Sequence, residues 1–451
     1  MSSPIYLTDE IRRIEKEAGD ARPPLMERAG MAAAEFAGKI ALDKSKDILV
    51  LAGPGNNGGD AKIAAARLRE QFFRVTLAEK TPPEEKPWGL IIDGLFGIGL
   101  ARAIEGDYAR LVDYVNARAC PVLALDVPSG LQSDTGRVLG RAVRATHTLT
   151  FIGLKPGLLT LDGPDHCGEI TVADLGLKPQ ASAWVASPEL FPPSRRPSNF
   201  HKGLAGSLGI IGGAAGMTGA ALLAGRAALK LGAGRVYVGL LDEQLQVDFG
   251  APELMLRHAD DVLGADLQAL VVGPGLGQGE RAGTLLGAAL SSELPCVLDA
   301  DALNLIAGDA DLRHACARRS AETLLTPHPA EAGRLLAEPT AAVQADRVKA
   351  ARMLAENLNA HVVLKGAGSI LVARDGHWFI NRTGHSGLAS AGTGDVLAGM
   401  LGALLAQGYS GETALVLGPH LHGAAAEELA RVGMSASELI EPARRIWNSW
   451  L

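Results

Sequence analysis

The chain is 451 residues long, more than one hydrophobic core usually organises, so two or three domains are expected. Hydrophobic residues make up 47% of it and aromatics only 4%, which leaves Ala, Val, Leu and Ile to build the interior, as in parallel sheets covered by helices. Lysine plus arginine number 43 against 50 for aspartate plus glutamate, a net charge of −7 without a basic block, and this removes the electrostatic footprint that nucleic-acid binding requires.

From the N-terminus, "MSSPIYLTDEIRRIEKEAGD" is polar and charged early, without the apolar core of a signal peptide. Every later apolar run is broken by charge or glycine before membrane-spanning length. The four cysteines, Cys120, Cys167, Cys296 and Cys316, show no C-x-x-C spacing and read as reduced, packed thiols. A cytoplasmic protein without a membrane partner is expected. Strand-like runs then alternate with helical stretches: "DILVLAG" (47 to 53), "RVTLA" (74 to 78), "GLIID" (89 to 93), "PVLALDVPSG" (121 to 130) and "THTLTFIG" (146 to 153). That alternation implies βαβ units.

A second series starts with "SLGIIGG" (207 to 213) and continues through "RVYVGL", "ALVVGPGLG", "CVLDADALN", "TLLTPHPAE" and "HVVLKGAGSILVA" (361 to 373). Between the series, "ASPELFPPSRRPSNF" (186 to 200) carries four prolines, a composition that resists helix and strand. Two α/β domains are therefore expected, residues 1–188 and 189–451, joined near Pro193. The two series do not share motifs, which argues for a fusion of unlike folds.

In the first series, "AGPGNNGGDAKIAAARL" (52 to 68) follows a strand and opens a helix, and Gly53, Gly55 and Gly58 satisfy G-x-G-x-x-G. The acidic residue that should follow a dinucleotide fingerprint has only Glu79 as candidate. Asn56, Asn57 and Asp60 add side-chain oxygens to a turn rich in N–H groups, suited to a polar ligand and a cation. Further oxygens stand at other strand ends: Asp93 in "IIDGLFGIGL", and Asp126 and Ser129 in "LDVPSGLQSDTG". Such ends converge on one edge of a parallel sheet. The blander alternative is that Asp93 and Asp126 cap following helices and that Lys155 in "FIGLKPGL" is a solvated surface lysine.

In the second series, "AGTGDVLAGMLGALLAQG" (391 to 408) sets Gly394 and Asp395 at the start of a helix with no charge after Asp395. A helix N-terminus suits phosphate oxygens. A carboxylate there either caps the helix or accepts a proton from an attacking hydroxyl, as the base does in phosphoryl transfer. "HKGLAGSLGIIGGAAGMTGAALLAGRAALKLGAGRV" (201 to 236) and "GPGLG" (273 to 277) place glycines at strand ends, through close packing or beside a ligand. "LTPHPAEAGRLL" sets His328 between two prolines, and "KGAGS" (365 to 369) puts Lys365 and flexible backbone after a strand, a good contact for nucleotide phosphate or ribose.

Residues 195 to 451, with six motifs in order, resemble the dehydratase domain of the NAD(P)H-hydrate repair enzymes, a branch of the ribokinase-like α/β fold. Residues 1 to 180, with "LMERAG" and "NNGGDA", resemble the NAD(P)H-hydrate epimerases, a Rossmann-like three-layer domain. The resemblance implies a bifunctional enzyme that epimerises the R and S forms of NADHX and NADPHX and dehydrates the S form at the expense of ADP, giving AMP and phosphate, with ATP as the eukaryotic alternative. It implies that Lys365, Gly366, Ala367, Gly368, Ser369 and Gly394 hold the nucleotide, with Mg2+, while Ala220, Gly277, His328 and Asp395 face the hydrate. It further implies that Asn56, Asn57, Gly58, Gly59, Asp60 and the loop Gly97, Ile98, Gly99, Leu100 bind hydrate in the epimerase domain. There Asn57, Asp93 and Ser129 would ligate K+, and Asp126 with Lys155 would form the acid–base pair. Members of that family usually read "NNGGDG", so Ala61 replaces a glycine; this is harmful if the position needs positive φ and harmless inside a helix. A homo-oligomer is implied as well. The competing readings are a small-alcohol kinase with a regulatory N-terminal domain, and a non-enzymatic ligand-sensing N-terminal half.

Overall fold

Buried on both faces, the strands of a parallel sheet read as near-continuous apolar runs, and those runs become strands here. The computed structural model describes residues 3–451 except 42, 200 and 202. It divides into a unit spanning Ser3–Trp184 and a second spanning Val185–Leu451. The proline-rich stretch lies with the second unit and is pinned there. The Ala186 N–H donates to the Ile380 carbonyl (2.9 Å), the Ala186 carbonyl meets His420 Nδ1 (3.0 Å), and Arg196 donates to the Gly232 carbonyl (2.8 Å). The division thus precedes the expected joint near Pro193, because hydrogen bonds tie residues of that stretch to the later elements.

The first unit holds β1 (Pro4–Ile5), β2 (Asp47–Ala52), β3 (Val75–Ala78), β4 (Trp88–Gly94), β5 (Val122–Leu125), β6 (His147–Phe151) and β7 (Glu169–Ala173), and β8 (Ala183–Val185) runs one residue past its end at Trp184. Strands β2 to β7 form a parallel sheet in the order β3-β2-β4-β5-β6-β7, and β1 pairs antiparallel with β8. Helices Thr8–Glu17, Leu25–Ile40 and Asn56–Glu70 bury Ile11, Ala33 and Leu68 against Ile48, Val50 and Ile92. Helix Gly106–Asn116 buries Leu111 and Val115 against Leu49 and Ile91 on the other face. The result is three layers whose strand order reverses between β2 and β4, where a ligand crevice opens beyond the carboxyl ends.

Ala61 lies inside helix Asn56–Glu70, wholly buried, and is not among the residues with positive φ. A Cβ on Gly94 would stand 2.4 Å from the Ala61 Cβ, so the Ala61 methyl occupies the space over the end of β4. The helical alternative therefore holds. Ala61→Gly is expected to destabilise the chain by about 1 kcal/mol through helix propensity alone, read as a lower denaturation midpoint; a gain in stability would contradict this packing.

The second unit contains β9 (Ser207–Gly212), β10 (Arg235–Leu240), β11 (Met255–His258), β12 (Ala269–Val272), β13 (Cys296–Leu298), β14 (Thr323–Leu325), β15 (His361–Leu364), β16 (Ser369–Val372) and β17 (Trp378–Asn381). They are ordered β17-β16-β15-β14-β13-β12-β9-β10-β11, parallel from β15 to β11 and antiparallel at β15-β16-β17. The run 361 to 373 is a hairpin whose turn is "KGAG", with Gly366 at φ +147 and Gly368 at φ +59, values that glycine adopts without strain. Helix Thr393–Ala406 is apolar because it is buried almost all round: Gly399 lies on helix Thr218–Lys230, where a Cβ would stand 2.1 Å from the Ala224 carbonyl. The chain order reverses at β9, placing a crevice outside the ends of β9 and β12.

Candidate active sites

In the first unit, Asn56, Asn57, Gly58, Gly59 and Asp60 form the first turn of helix Asn56–Glu70. Asp60 is 8% exposed and its carboxylate makes no hydrogen bond among the described residues. Burial first, then Asp126 and Glu15, push it up to about 8. It lines a cavity of about 210 Å³ with Glu15, Met26, Asn56 and Phe151. Burial also raises Glu15, helped by Asp126.

Lys155 is not a solvated surface lysine. Its side chain is 0% exposed, and its ammonium donates to Asp126 Oδ1 (2.5 Å), Thr150 Oγ1 (2.9 Å) and the Phe151 carbonyl (2.7 Å). A buried ammonium survives only with such partners. Asp126 caps no helix either: at φ +63, its Oδ1 accepts from the Phe151 N–H (3.3 Å) as well as from Lys155. A non-glycine residue in this conformation stores strain of the kind found at functional sites.

Asp93 is likewise no cap. Fully buried, it accepts from Ser129 N (2.8 Å), Ser129 Oγ (2.7 Å) and Leu95 N (3.2 Å), and burial raises it despite those bonds. Asn57 donates through Nδ2 to the Leu125 carbonyl (3.1 Å), while its buried Oδ1 has no partner. Gly97 stands beside both elements, since a Cβ there would lie 3.4 Å from Asn57 Cγ and from Asp126 Oδ2. Ile98 and Leu100, both half-buried, pack against the two hydrophobic cores, with the exposed Gly99 between them. Glu79 pairs with Lys62 at the surface (2.7 Å), away from any ribose-binding role.

In the second unit the strand ends bring the remaining motifs together. Ala220 opens helix Thr218–Lys230 next to Gly275, and Gly277, at φ +74, donates its N–H to Asp301 Oδ2 (2.8 Å). His328 caps helix Pro329–Leu336, its Nδ1 accepting from Ala330 N (3.1 Å) and Glu331 N (3.3 Å). Burial and then Lys365 lower its pKa. With Nδ1 an acceptor, the neutral ring carries its proton on Nε2, which lies 3.4 Å from Glu331 Oε1. Ser369 Oγ closes the "KGAG" turn by bonding both backbone groups of Gly366 (3.3 and 3.1 Å), with Ala367 at its tip.

Lys365 Nζ donates to Asp299 Oδ1 (2.9 Å). Burial opposes its charge, but Asp299 and Glu331 outweigh burial and raise its pKa. Asp395, half-buried in the first turn of helix Thr393–Ala406, accepts no hydrogen bond among the described residues, so it is not acting as a cap. Burial and then Asp299 push it up to about 7 against the pull of Lys365. A carboxylate so placed is poised to take a proton near neutral pH.

Asp299, Glu331, Arg347 and Glu15 were not singled out from sequence. Asp299 stands at a strand end in "CVLDADALN", a signal open to reading. Arg347 gave none: it is a helix residue whose buried guanidinium reaches the carbonyls of Leu364, Lys365 and Gly368 (3.3 to 3.4 Å) behind the turn.

Carboxylates and backbone N–H groups gathered at the switch points of two unlike doubly wound sheets define a two-domain α/β enzyme with one site per unit. A ribokinase-like superfamily protein of Enterococcus faecalis shares the second unit's fold, at 23% identity and a TM-score of 0.53, over 61% of this chain and 98% of that one. Residues 208–444 match the NAD(P)H-hydrate dehydratase family, and 23–87 with 76–157 match the YjeF-related protein N-terminus. The bifunctional NAD(P)H-hydrate repair enzyme of Escherichia coli is 37% identical, over 98% of this chain and 94% of its own. That of Coxiella burnetii is 36% identical over 95% of each. The chain belongs to the family of bifunctional NAD(P)H-hydrate repair enzymes.

Proposed function

We propose that the first unit interconverts the R and S hydrates of NADH and NADPH and that the second removes water from the S hydrate with ADP or ATP. The observation that carries this reading is Asp395, a carboxylate without a hydrogen bond beside the Lys365 turn and a helix N-terminus. Hydroxide leaves poorly. Transfer of the terminal phosphoryl of ADP onto the C6 oxygen, with the hydroxyl proton passing to Asp395, turns the leaving group into phosphate. The C6–O bond then breaks with loss of a C5 proton, restoring the dihydronicotinamide and leaving AMP. The transition state of such a transfer is loose, so positioning by Lys365, the 365–369 turn and Gly394 matters more than basicity. Among the described residues, one grouping of three side chains has metal-ligand geometry, Asp375, His377 and Glu412. It includes neither Asp395 nor Lys365, and Mg2+ at the crevice fits as an ion carried by the nucleotide phosphates.

In the first unit, Asp126, paired with the buried Lys155, would take the C6 hydroxyl proton as the C6–N1 bond breaks to give an open aldehyde with the proton passed to the ring nitrogen. The nitrogen would then add back to the other face of the aldehyde, returning the proton to the C6 oxygen. The orphaned Asn57 Oδ1, the buried Asp93 without a cationic partner and Ser129 Oγ would supply oxygens carrying one charge between them, which suits potassium better than a divalent ion. Potassium bound there would neutralise Asp93 and brace the hydrate-binding loops. Absence of a disulfide among the four cysteines agrees with a cytoplasmic setting.

Mixed hydrates given to the purified chain with ADP, ATP or no nucleotide test the proposal. Phosphate release with recovery of reduced-nicotinamide absorbance is expected until both epimers are gone. Replacing potassium by tetramethylammonium should leave the S form consumed and slow the R form to its spontaneous rate. Accumulation of a stable phosphorylated product would establish a kinase instead.

A further inference from the structure

Lys365 lies between anions and bonds to one of them. It reaches Asp299 at 2.9 Å, while Asp395, which also acts on it, is left unbonded. The selection is braced from behind. Asp299 follows β13, is 1% exposed, and takes the Thr326 hydroxyl at Oδ1 (2.7 Å), so the neighbouring strand end fixes its carboxylate. The Lys365 N–H is tied to the Pro327 carbonyl (2.9 Å). The pair also abuts the residue preceding Asp395: a Cβ on Gly394 would stand 3.3 Å from Lys365 Nζ and 3.6 Å from Asp299 Oδ2.

We propose that Asp299 is a positioning residue that holds Lys365 off Asp395, keeping the ammonium for the nucleotide phosphates and the Asp395 carboxylate free to take the hydroxyl proton. This rests on Asp395 being the base. The charged groups bearing on Asp395 are Asp299, Lys365, Asp301 and Glu331. His422, whose ring bonds the Thr393 carbonyl (2.9 Å), is kept neutral by burial, down to about 4. Without Asp299, the anions left to Lys365 are Glu331 and Asp395, and an ion pair with Asp395 would occupy the lone pair the reaction needs.

The test is the pH profile of kcat/KM for the S hydrate in the full chain at saturating nucleotide and Mg2+. Wild type should lose activity in acid with a midpoint near 7, the value to which Asp395 is pushed. Asp299→Asn should move that midpoint down by about one to three units and lower kcat, and adding Lys365→Met should cancel the shift. A wild-type near-ultraviolet circular dichroism spectrum, to which Trp378, Trp447 and Trp450 of the second unit contribute, reports that the mutated unit is folded. If Asp299→Asn does not fold, Lys365→Met alone should raise the midpoint, and an unmoved midpoint overturns the proposal. So does a folded Asp299→Asn with the wild-type profile, a shift that survives Lys365→Met, or a changed Mg2+ requirement with an unmoved profile. Full activity in Asp395→Asn would instead sink the base assignment, whereas an inactive Asp395→Asn with an unmoved Asp299→Asn profile sinks only the positioning role.

Discussion

Asp395→Asn is expected to abolish nucleotide-dependent dehydration while leaving the fold and R-to-S interconversion intact. The amide keeps the shape of the carboxyl group but cannot accept the C6 hydroxyl proton, and loss of a general base costs about 10²- to 10⁴-fold. Nucleotide affinity should be retained or improved, because a partly ionised carboxylate next to the phosphates is replaced by a neutral group. Stability supplies an independent sign. The folded-state pKa of Asp395 is raised to about 7, above its unfolded value of about 3.9, so the folded chain holds that proton more tightly. Wild type therefore loses stability as pH rises from about 4 to about 7, and the amide escapes this loss. Thermal melts should show the variant gaining on wild type between pH 5 and pH 8. Near-normal turnover of purified S hydrate, or a variant that falls behind as pH rises, would remove Asp395 from the base position.

Lys155→Met should have the corresponding effect on the first site. The side chain keeps its bulk and loses its charge and three donors, leaving Asp126, Thr150 Oγ1 and the Phe151 carbonyl without their shared partner. Interconversion should fall about 10²- to 10⁴-fold, the loss of one acid–base group. Breaking a buried pair from one side also costs about 3–5 kcal/mol of stability. Asp126→Asn combined with Lys155→Met should recover much of that stability and none of the activity, which separates chemistry from folding. Consumption of purified S hydrate should persist in both variants, since every residue assigned to dehydration lies in the other unit. Interconversion at the wild-type rate in folded Lys155→Met would reduce the lysine to a structural counter-ion.

Local pattern determined much of this molecule. Continuous apolar runs announced β2, β4, β5, β9 and β12 to β15, because strands covered on both faces cannot afford polar residues. The glycine turn before an uncharged helix announced Asp395 at a buried helix start, and "NNGGDA" announced the first turn of helix Asn56–Glu70. Edge and short strands were silent: β1, β7, β8 and β11 are too brief or too exposed to carry a period, and the hairpin at 361 to 373 read as one run until Gly366 and Gly368 took left-handed conformations. Ala61 was legible only as a choice between turn and helix, and its neighbour Gly94, 33 positions along the chain, decided it. Beyond Asp126 with Lys155, a pair the family resemblance already implied, only the tertiary structure decided which polar groups meet. Lys155 with Asp126 spans 29 residues, Lys365 with Asp299 spans 66, and Asn57 with Leu125 spans 68. Such pairings arise because parallel crossovers return distant strand ends to one edge of a sheet. No window of sequence contains both partners, so burial, charge compensation and the free lone pair of Asp395 exist only once the sheet has formed.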